Sequence, residues 1–576
     1  MIKLKGIAAA HGISIGIAYK LGKEEIIVPR LDIAESDIPL QIQLFEEALI
    51  KTRRQIIELQ KRISSGMGKD EAQIFDAHLL VLEDRMLIEE VIMRLKKDKL
   101  NVAFIFQEVL KKYVSVFSKI EDEYLKERIS DINDVGKRIL RNILGKENKG
   151  LDGLKEKAII VAHDLSPSDT AAMYKRNVAA FVTDVGGKTS HTAIMAKSLE
   201  IPAVVGVEGA TAIINSGDML IVDGSLGTII VNPDKEALGA YRKEEEKLKD
   251  IAQRFLSVKD LPAVTSDGLK VKIVANIEFP DEVSALKLQG AEGIGLYRTE
   301  FFYMNRSDSP SEDEHYLAYK YVAEEMMPYS VTIRTLDLGG DKYLSQFKIP
   351  QEMQPFLGWR AIRFCLARPE IFKLQLRAIL RASTHGNLRL MYPMISGIEE
   401  LEQANKLLDE AKDELRKGNI PFNEDIQVGV MIEVPSAALT SDILAQKADF
   451  FSIGSNDLIQ YSLAVDRANE KVAYLYDPAH PAVLRLIKSI IDSAHKKGIK
   501  VGMCGEMAGE ADLALILLGL GLDEFSVPPR IIPELKYLIR SITLSKAKQI
   551  AQKALGFFTG KEVEKYLQIE LKEILK

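Results

Sequence analysis

Hydrophobic and polar residues change their spacing several times along this chain, and each change predicts a different kind of element. Residues 1–21 are short apolar runs interrupted by His11, Gly12 and Gly16, which predicts a first pair of strands with tight turns. From Ala34 the apolar positions fall three and four residues apart among charges. The first such run, SDIPLQIQLFEEALIKTRRQIIELQKRI, opens on Ser36 and Asp37 as capping candidates. The same helical period continues through EAQIFDAHLLVLEDRMLIEEVIMRLKK, NVAFIFQEVLKKYVSVFSKI and YLKERISDINDVGKRILRNIL. Together these predict a helical bundle inserted between residues 22 and 145.

Glycine and β-branched residues then return in KAIIVAHDLSP, AAFVTDVGGK, IPAVVGV and DMLIVDGSLGTIIVNP. This predicts an α/β domain of residues 146–231 that residues 1–21 complete. The charged run DKEALGAYRKEEEKLKDIAQRFLSV, within residues 232–260, reads as a solvated surface helix or as a linker helix. Beyond Asp260 strand and helix patterns alternate. Eight strand candidates can be read: VKIVANI, GIGLYRTE, VTIRTLDLGG, LRLMYPMIS, VGVMIEVP, FFSIGSNDL, VGMCGEM and EFSVPP. Parallel strands with crossover helices over residues 261–576 predict a (β/α)8 barrel. The fold class expected is therefore a multidomain α/β protein with an inserted helical bundle, a linker helix and a C-terminal barrel of this type.

Composition narrows the function classes. The chain has 576 residues, 47% of them hydrophobic, enough for several cores. Its net charge of −6 comes from interspersed acids and bases, which argues against a general nucleic-acid binder. Only Cys365 and Cys504 occur, far apart, so neither a disulfide framework nor a zinc site is expected and a reducing cytoplasm fits best. Lys3 and Lys5 before an apolar run mimic a signal peptide, but the run leads into charged helical sequence without a clean cleavage site. No 18-residue apolar span occurs elsewhere, so membrane insertion is not expected.

Polar residues crowd the ends of the barrel strands: Arg298 and Glu300, Arg334 and Asp337, Glu433, Asn456 and Asp457, Cys504 and Glu506. In a barrel those ends form one mouth, where active sites are built. A strand glutamate taken alone is equally a structural ion-pair partner, but Glu433 and Asp457 end neighbouring strands and together could hold one Mg2+. Arg298, Arg334 and Arg467 converging on them describe a clamp for a small, multiply charged anion, with Lys342 and Arg360 as further additions. Cys504 is either an inert buried thiol or a proton donor to carbon; Cys365, in a helical run, is expected in the core.

The stretch DVGGKTSHTAIMAKSLEIPAVVG raises a separate question, because His191 has no neighbouring ligand or carboxylate partner. The glycines Gly186 and Gly187 allow a tight turn, and a helix starting near Thr189 or Ser190 puts His191 in its first turn. Free N–H groups there favour an anion and disfavour a protonated imidazole. A capping histidine is the plainer reading; a covalent phosphate acceptor is the alternative. Thr189 and Ser190 could cap the helix, donate to a phosphoryl oxygen, or both.

Four long motifs carry a resemblance: GGKTSHTAIMAKSLEIPAVVG, GIGLYRTEFFYM, FFSIGSNDLIQYSLAVDRAN and GMCGEMAG. The chain closely resembles, over essentially its whole length, the phosphoenolpyruvate–protein phosphotransferase (Enzyme I) family of bacterial phosphotransferase systems. Ser455, where the family often has threonine, and EFFYM, where EFLFM is commoner, are small departures. The resemblance implies phosphoenolpyruvate at the barrel mouth, with Mg2+ (or Mn2+) on Glu433 and Asp457. It implies Arg298, Arg334 and Arg467, helped by Asn456, on the substrate's phosphate and carboxylate. His191 would attack phosphorus through Nε2, and Cys504 would protonate the enolate to give pyruvate. The phosphoryl group would then pass to a histidine of the carrier protein HPr, the first step of a sugar-uptake cascade. HPr would dock on the bundle, with Asp84 and Arg128 as candidate contacts, and residues 1–231 would swivel about the linker helix. Homodimerisation through the barrel domain is implied as well. Pyruvate phosphate dikinase and phosphoenolpyruvate synthase share the phosphohistidine domain and the barrel but need an ATP-grasp domain, for which no segment here suffices. A nitrogen-type paralogue would carry an N-terminal sensor domain, whereas this sequence opens on the first strands. A catalytically dead barrel scaffold is argued against by the full set of catalytic residue types.

Overall fold

The structure, a computed structural model, describes residues 1–22, 28–64, 75, 78–117, 123–146, 157–165, 169, 173, 177–187, 192–193, 195–196, 201–303, 308–339, 357–467, 469 and 471–575. They fall into two compact units, residues 1–250 and 251–576.

The first unit is built on an eight-stranded sheet. Its strands are β1 (Ile2–Lys5), β2 (Ile7–Ala10), β3 (Ile13–Lys20), β4 (Ala158–Ala162), β5 (Val178–Thr183), β6 (Ala203–Val205), β7 (Met219–Asp223) and β8 (Thr228–Val231). They lie in the order β1-β8-β7-β3-β4-β5-β6-β2, with β3, β4, β5 and β6 mutually parallel. The opening run therefore supplies three strands rather than the expected pair. The extra corner falls at Gly12, whose φ of +119° reverses the chain between β2 and β3 at little cost. Strands β4 and β5 are buried along their whole length, as the continuous apolar text of parallel central strands requires.

The helical part follows the three- and four-residue spacing, with helices Ile38–Ser64, Arg85–Asp98, Val102–Phe117 and Glu123–Ile143. Phe45, Phe106, Val109, Val135 and Ile139 fill its core. The run 71–97 reads as one periodic stretch, yet a new helix starts after Asp84, whose carboxylate accepts from the N–H groups of Met86 (2.8 Å) and Leu87 (3.1 Å). The N-cap outweighs the continuing periodicity. The helical residues after the glycine pair join the two cores: Met195 packs in the bundle, while Ala193 and Ala196 pack under the sheet.

Helix Lys235–Ser257 carries the chain into the second unit, a closed parallel barrel. Its strands are β9 (Lys272–Ile277), β10 (Ile294–Tyr297), β11 (Ser330–Arg334), β12 (Asn387–Tyr392), β13 (Gln427–Ile432), β14 (Phe450–Ile453), β15 (Lys500–Met503) and β16 (Glu524–Val527). Each pairs with the next, and β16 closes on β9. All eight segments picked out by their apolar text are strands. Leu296, Met391, Met431, Phe450 and Cys504 pack together as a small apolar cluster apart from the main core. Cys365 is fully buried in helix Ala361–Ala367, as expected. No described helix is long and apolar enough to cross a membrane.

Candidate active site

Because the eight strands are parallel, their carboxyl ends deliver the polar residues that follow them to one rim. Glu433 comes directly after β13 and is only 2% exposed. Its Oε1 accepts the N–H of Met394 at 2.6 Å. Its Oε2 faces Gly454, where a Cβ would stand 2.5 Å away, so glycine is needed for the carboxylate to fit. Burial pushes the Glu433 carboxyl up, and the nearby charges of Asp457 and Asp337 push it further; Arg334 and Arg360 pull the other way. Asp457 does not end β14 as its sequence position suggests. It sits in the first turn of helix Ser455–Leu463, which begins two residues after that strand.

The arginines are held by a lattice of carboxylates. Arg334, the last residue of β11, is buried and paired with Glu300, and its Nη1 is 3.0 Å from Asp337 Oδ2. Arg360 is also buried, and its Nη2 donates to the other Asp337 oxygen at 3.0 Å and to Asp457 at 3.4 Å. Its Nη1 donates to the Tyr461 hydroxyl at 3.2 Å. Burial works against both guanidinium charges, but these acids overcome it and hold both groups above their ordinary range. Asp337 thus bridges two arginines. Arg298, directly after β10, pairs with Glu278, which follows β9.

Farther out is a second group. Asn456 donates to Glu506 Oε1 at 3.1 Å and accepts the Glu506 N–H at 3.0 Å, and Arg467 Nη1 reaches the same carboxylate at 3.3 Å. Arg467 and Glu506 are largely exposed, so this group is a solvated rim rather than part of the buried lattice. Burial pushes the Tyr476 hydroxyl up, and the charges of Glu506, Arg467, Asp457 and Glu510 act on it.

Cys504 follows β15 and is 4% exposed. Its thiol points at the Ile453 carbonyl, 3.8 Å away, and the Cys504 carbonyl accepts from Asn276 Nδ2 at 3.1 Å. Burial pushes the thiol up to about 11, although a bond from Ser452 and the charges of Arg334 and Arg298 oppose the shift. The group therefore keeps its proton at neutral pH while standing beside the arginines.

A divalent cation would find suitable oxygens here. Glu433 carries one oxygen free of backbone bonding, and the repulsion between this buried acid and the partly buried Asp457 is what a cation would relieve. Among the described residues no group of three or more His, Cys, Asp or Glu side chains is arranged to hold a metal. Two carboxylates match the few protein ligands Mg2+ takes when a phosphate completes its shell.

His191, Thr189, Ser190 and Lys342 lie outside the described residues. Arg128 lies in helix Glu123–Ile143, with its side chain outside them. The approach to the histidine loop is described. Asp184, at the end of β5, accepts the Thr211 N–H at 2.8 Å, and its other oxygen is 3.0 Å from His163 Nδ1 and bonded by the Thr211 hydroxyl. Burial opposes its charge, but these bonds hold its carboxyl below the ordinary range. Gly186, at φ +121°, turns the chain directly afterwards.

The structure brings Arg298, Arg334, Arg360, Glu433, Asp457 and Cys504 to one place and sets Asn456 and Arg467 on its rim. Sequence reading overlooked Glu278, Tyr461 and Tyr476. Glu278 had a usable signal, since it follows an apolar strand in VANIEFP as Glu433 follows MI. Tyr461 had none, because a tyrosine one turn beyond Asp457 looks like an ordinary helix residue.

Three family profiles match: "PEP-utilising enzyme, N-terminal" over residues 5–128, "PEP-utilising enzyme, mobile domain" over 154–227, and "PEP-utilising enzyme, PEP-binding domain" over 253–544. The phosphoenolpyruvate-protein phosphotransferase of Bacillus subtilis (strain 168) is 45% identical over 99% of this chain and 99% of its own. That of Staphylococcus carnosus (strain TM300) is 44% identical over 97% of this chain and 98% of its own. The same enzyme of Haemophilus influenzae is 44% identical over 98% of each.

Proposed function

Since the chain belongs to the phosphoenolpyruvate–protein phosphotransferase family and is an enzyme of phosphoenolpyruvate-dependent phosphoryl transfer, we propose that His191 is the group it phosphorylates first. The observation that carries this reading is the lattice at the barrel mouth, in which buried arginines are fixed by acids beside a thiol that retains its proton.

Arg298, Arg334 and Arg467, with Arg360, Lys342 and Asn456, hold the phosphate and carboxylate of phosphoenolpyruvate. Their carboxylate partners set the guanidinium directions before substrate arrives, so little reorganisation is left for the reaction. A cation on Glu433 and Asp457, Mg2+ or Mn2+, would supply charge neutralisation for the substrate oxygens. The His191 ring nitrogen forms the new bond to phosphorus as the bond from phosphorus to the enol oxygen breaks. Negative charge spreads over the three transferring oxygens, so positioning and electrostatics do most of the work. Thr189 and Ser190 donate to that group once it is on the histidine. The electron pair left on the enol oxygen forms the pyruvate carbonyl while carbon takes the Cys504 proton, and the thiolate regains a proton from water.

Phospho-His191 then passes its group to a histidine of HPr, the opening step of sugar uptake in the cytoplasm. HPr docks on the helical domain, residues 22–145, where Asp84 and Arg128 are candidate contacts. The phosphohistidine domain, residues 1–21 with 146–231, serves both sites by turning on the linker helix within 232–260, a hinge motion. The barrel domain, 261–576, pairs with a second copy.

Incubation with phosphoenolpyruvate labelled in its phosphate, and Mg2+, gives an acid-labile, base-stable phosphoprotein. His191→Ala abolishes it. Undiminished labelling of that variant would overturn the assignment, and failure of added HPr to discharge the label would overturn the acceptor.

A further inference from the structure

Behind the arginines lies a chain of buried polar side chains that the mechanism does not use. Gln375, on helix Pro369–Ala382, is 1% exposed. Its Oε1 accepts the backbone N–H of Leu336 at 2.9 Å. That bond fixes which way the amide faces, so its NH2 points the other way. One N–H goes to Thr299 Oγ1 at 3.0 Å and the other to the Tyr319 hydroxyl at 3.1 Å. The Thr299 hydroxyl in turn donates to the Arg334 carbonyl at 3.0 Å.

The direction then propagates. Because Tyr319 accepts from Gln375, its O–H is free to donate to His315 Nδ1, 2.8 Å away. A proton donated there makes His315 the Nε2–H tautomer, whose N–H would face the Tyr303 hydroxyl at 3.3 Å. Thr299, His315 and Tyr319 are fully buried. Burial pushes the Tyr319 hydroxyl well above its ordinary value, which suits a donor that never loses its proton.

The chain touches the backbone at the points that aim the arginines. Thr299 lies between Arg298 and Glu300, and the two bonds to β11 and the residues after it bracket Thr335, between Arg334 and Asp337. We propose that Gln375 is a positioning residue for phosphoryl transfer, holding the ends of β10 and β11 in register through a directed hydrogen-bond chain that runs back to His315. This rests on the reading of the barrel mouth as the phosphoenolpyruvate site.

The test uses the full chain and three variants. Gln375→Met keeps the volume and removes every bond. Gln375→Glu keeps the acceptor for Leu336 but donates only when its introduced carboxyl is protonated. Leu376→Ala, at the neighbouring buried apolar position, is the stability control. Phosphoenolpyruvate binding is followed by the emission of Trp359, the single tryptophan and the neighbour of Arg360, and single-turnover labelling gives the rate. Gln375→Met lowers kcat/KM about 10- to 100-fold, the scale of a slight misplacement of binding groups, whereas Leu376→Ala changes it less than about threefold despite its lower melting temperature.

Gln375→Glu gives the readout that packing alone would not move. Charged and titratable groups near the substituted position are Glu300, Arg334, Asp337, His315, Cys365, Tyr297, Tyr303 and Tyr319. All are present in both proteins, so the variant-to-wild-type ratio isolates the new carboxyl. Burial raises it, and the ratio falls as the pH climbs through its ionisation, because the ionised form cannot donate. A ratio that is flat with pH, together with Gln375→Met matching Leu376→Ala, would overturn the positioning role while wild type still binds. Wild type that neither binds nor reacts with phosphoenolpyruvate would overturn the functional reading beneath it.

Discussion

Asp337 offers the sharpest test of the arginine lattice, because one carboxylate serves two buried guanidinium groups. In Asp337→Asn the shape is kept and a single charge is lost. Two contacts of 3.0 Å are weakened at once, to Arg334 Nη1 and Arg360 Nη2. Taking charge centres about 4 Å apart and an effective dielectric constant of about 20, each attraction is on the order of 4 kcal/mol before desolvation is counted. Desolvation is already committed, since both arginines remain buried. Glu300 still holds Arg334 and Asp457 still holds Arg360, which caps the loss. The expected destabilisation is about 3–5 kcal/mol, the range seen when one partner of a buried pair is removed. In a unit larger than 250 residues each kcal/mol moves the midpoint by about 2 °C or somewhat less, so scanning calorimetry should show a fall of roughly 5–10 °C. Phosphoenolpyruvate should restore more stability to Asp337→Asn than to wild type, because the anion replaces the missing charge. A midpoint within about 1 °C of wild type, with an unchanged ligand shift, would refute the claim that Asp337 holds the two arginines in place.

Further outcomes are expected at three positions. Cys504→Ala slows pyruvate formation more than phosphoryl transfer to the protein, and equal slowing would make the cysteine a packing residue. Since burial pushes that thiol up to about 11, its alkylation by iodoacetamide in the wild type should accelerate about tenfold per pH unit from neutral pH towards that value, measured by mass spectrometry. Glu510 is pushed up to about 7 by burial and by Asp512, Glu506 and Glu564. A carboxyl raised in the folded state binds more protons than in the unfolded state, so stability is lost as pH rises from the ordinary carboxylate range to about 7. Glu510→Gln should therefore match wild type at low pH and melt higher above neutrality, and parallel melting curves would contradict the sign. Asp84→Ala should lower bundle stability by about 1 kcal/mol in urea titrations, with Asp84→Asn nearly silent. If HPr affinity falls for both variants alike, Asp84 acts as a contact and not only as a cap.

The sequence displays most of the fold because parallel barrel strands are buried on both faces and read as uninterrupted apolar runs. Each of the eight could be picked out, and the polar residue following most of them named a site position. The pairing among those residues was another matter. Arg334 is visible at the end of VTIR, but its bonds to Glu300 and Asp337 depend on strand register, which no local pattern encodes. Arg360, in FLGWR, stands in the sequence only as an addition to the clamp, and the structure shares it between Asp337 and Asp457. Gln375 was invisible for a different reason. A glutamine in an amphipathic helix looks like any solvated position, and only the helix's rotation against β11 turns it inward. The third N-terminal strand escaped because a four-residue apolar stretch is too short to show a period.

The interleaving of the first sheet has a consequence for how the protein is made. Strands β1, β2 and β3 leave the ribosome first, yet β3 pairs with β4 and β7, and β1 with β8. Between Lys20 and Ala158 the whole helical bundle must be synthesised. At about 5–20 residues per second that interval is on the order of ten seconds, during which three apolar segments have no native neighbours. The bundle has its own core, so it can fold while they wait. A nascent chain stalled before β4 should therefore carry a folded helical domain and a sticky leading end, a natural client for chaperones that bind near the ribosomal exit.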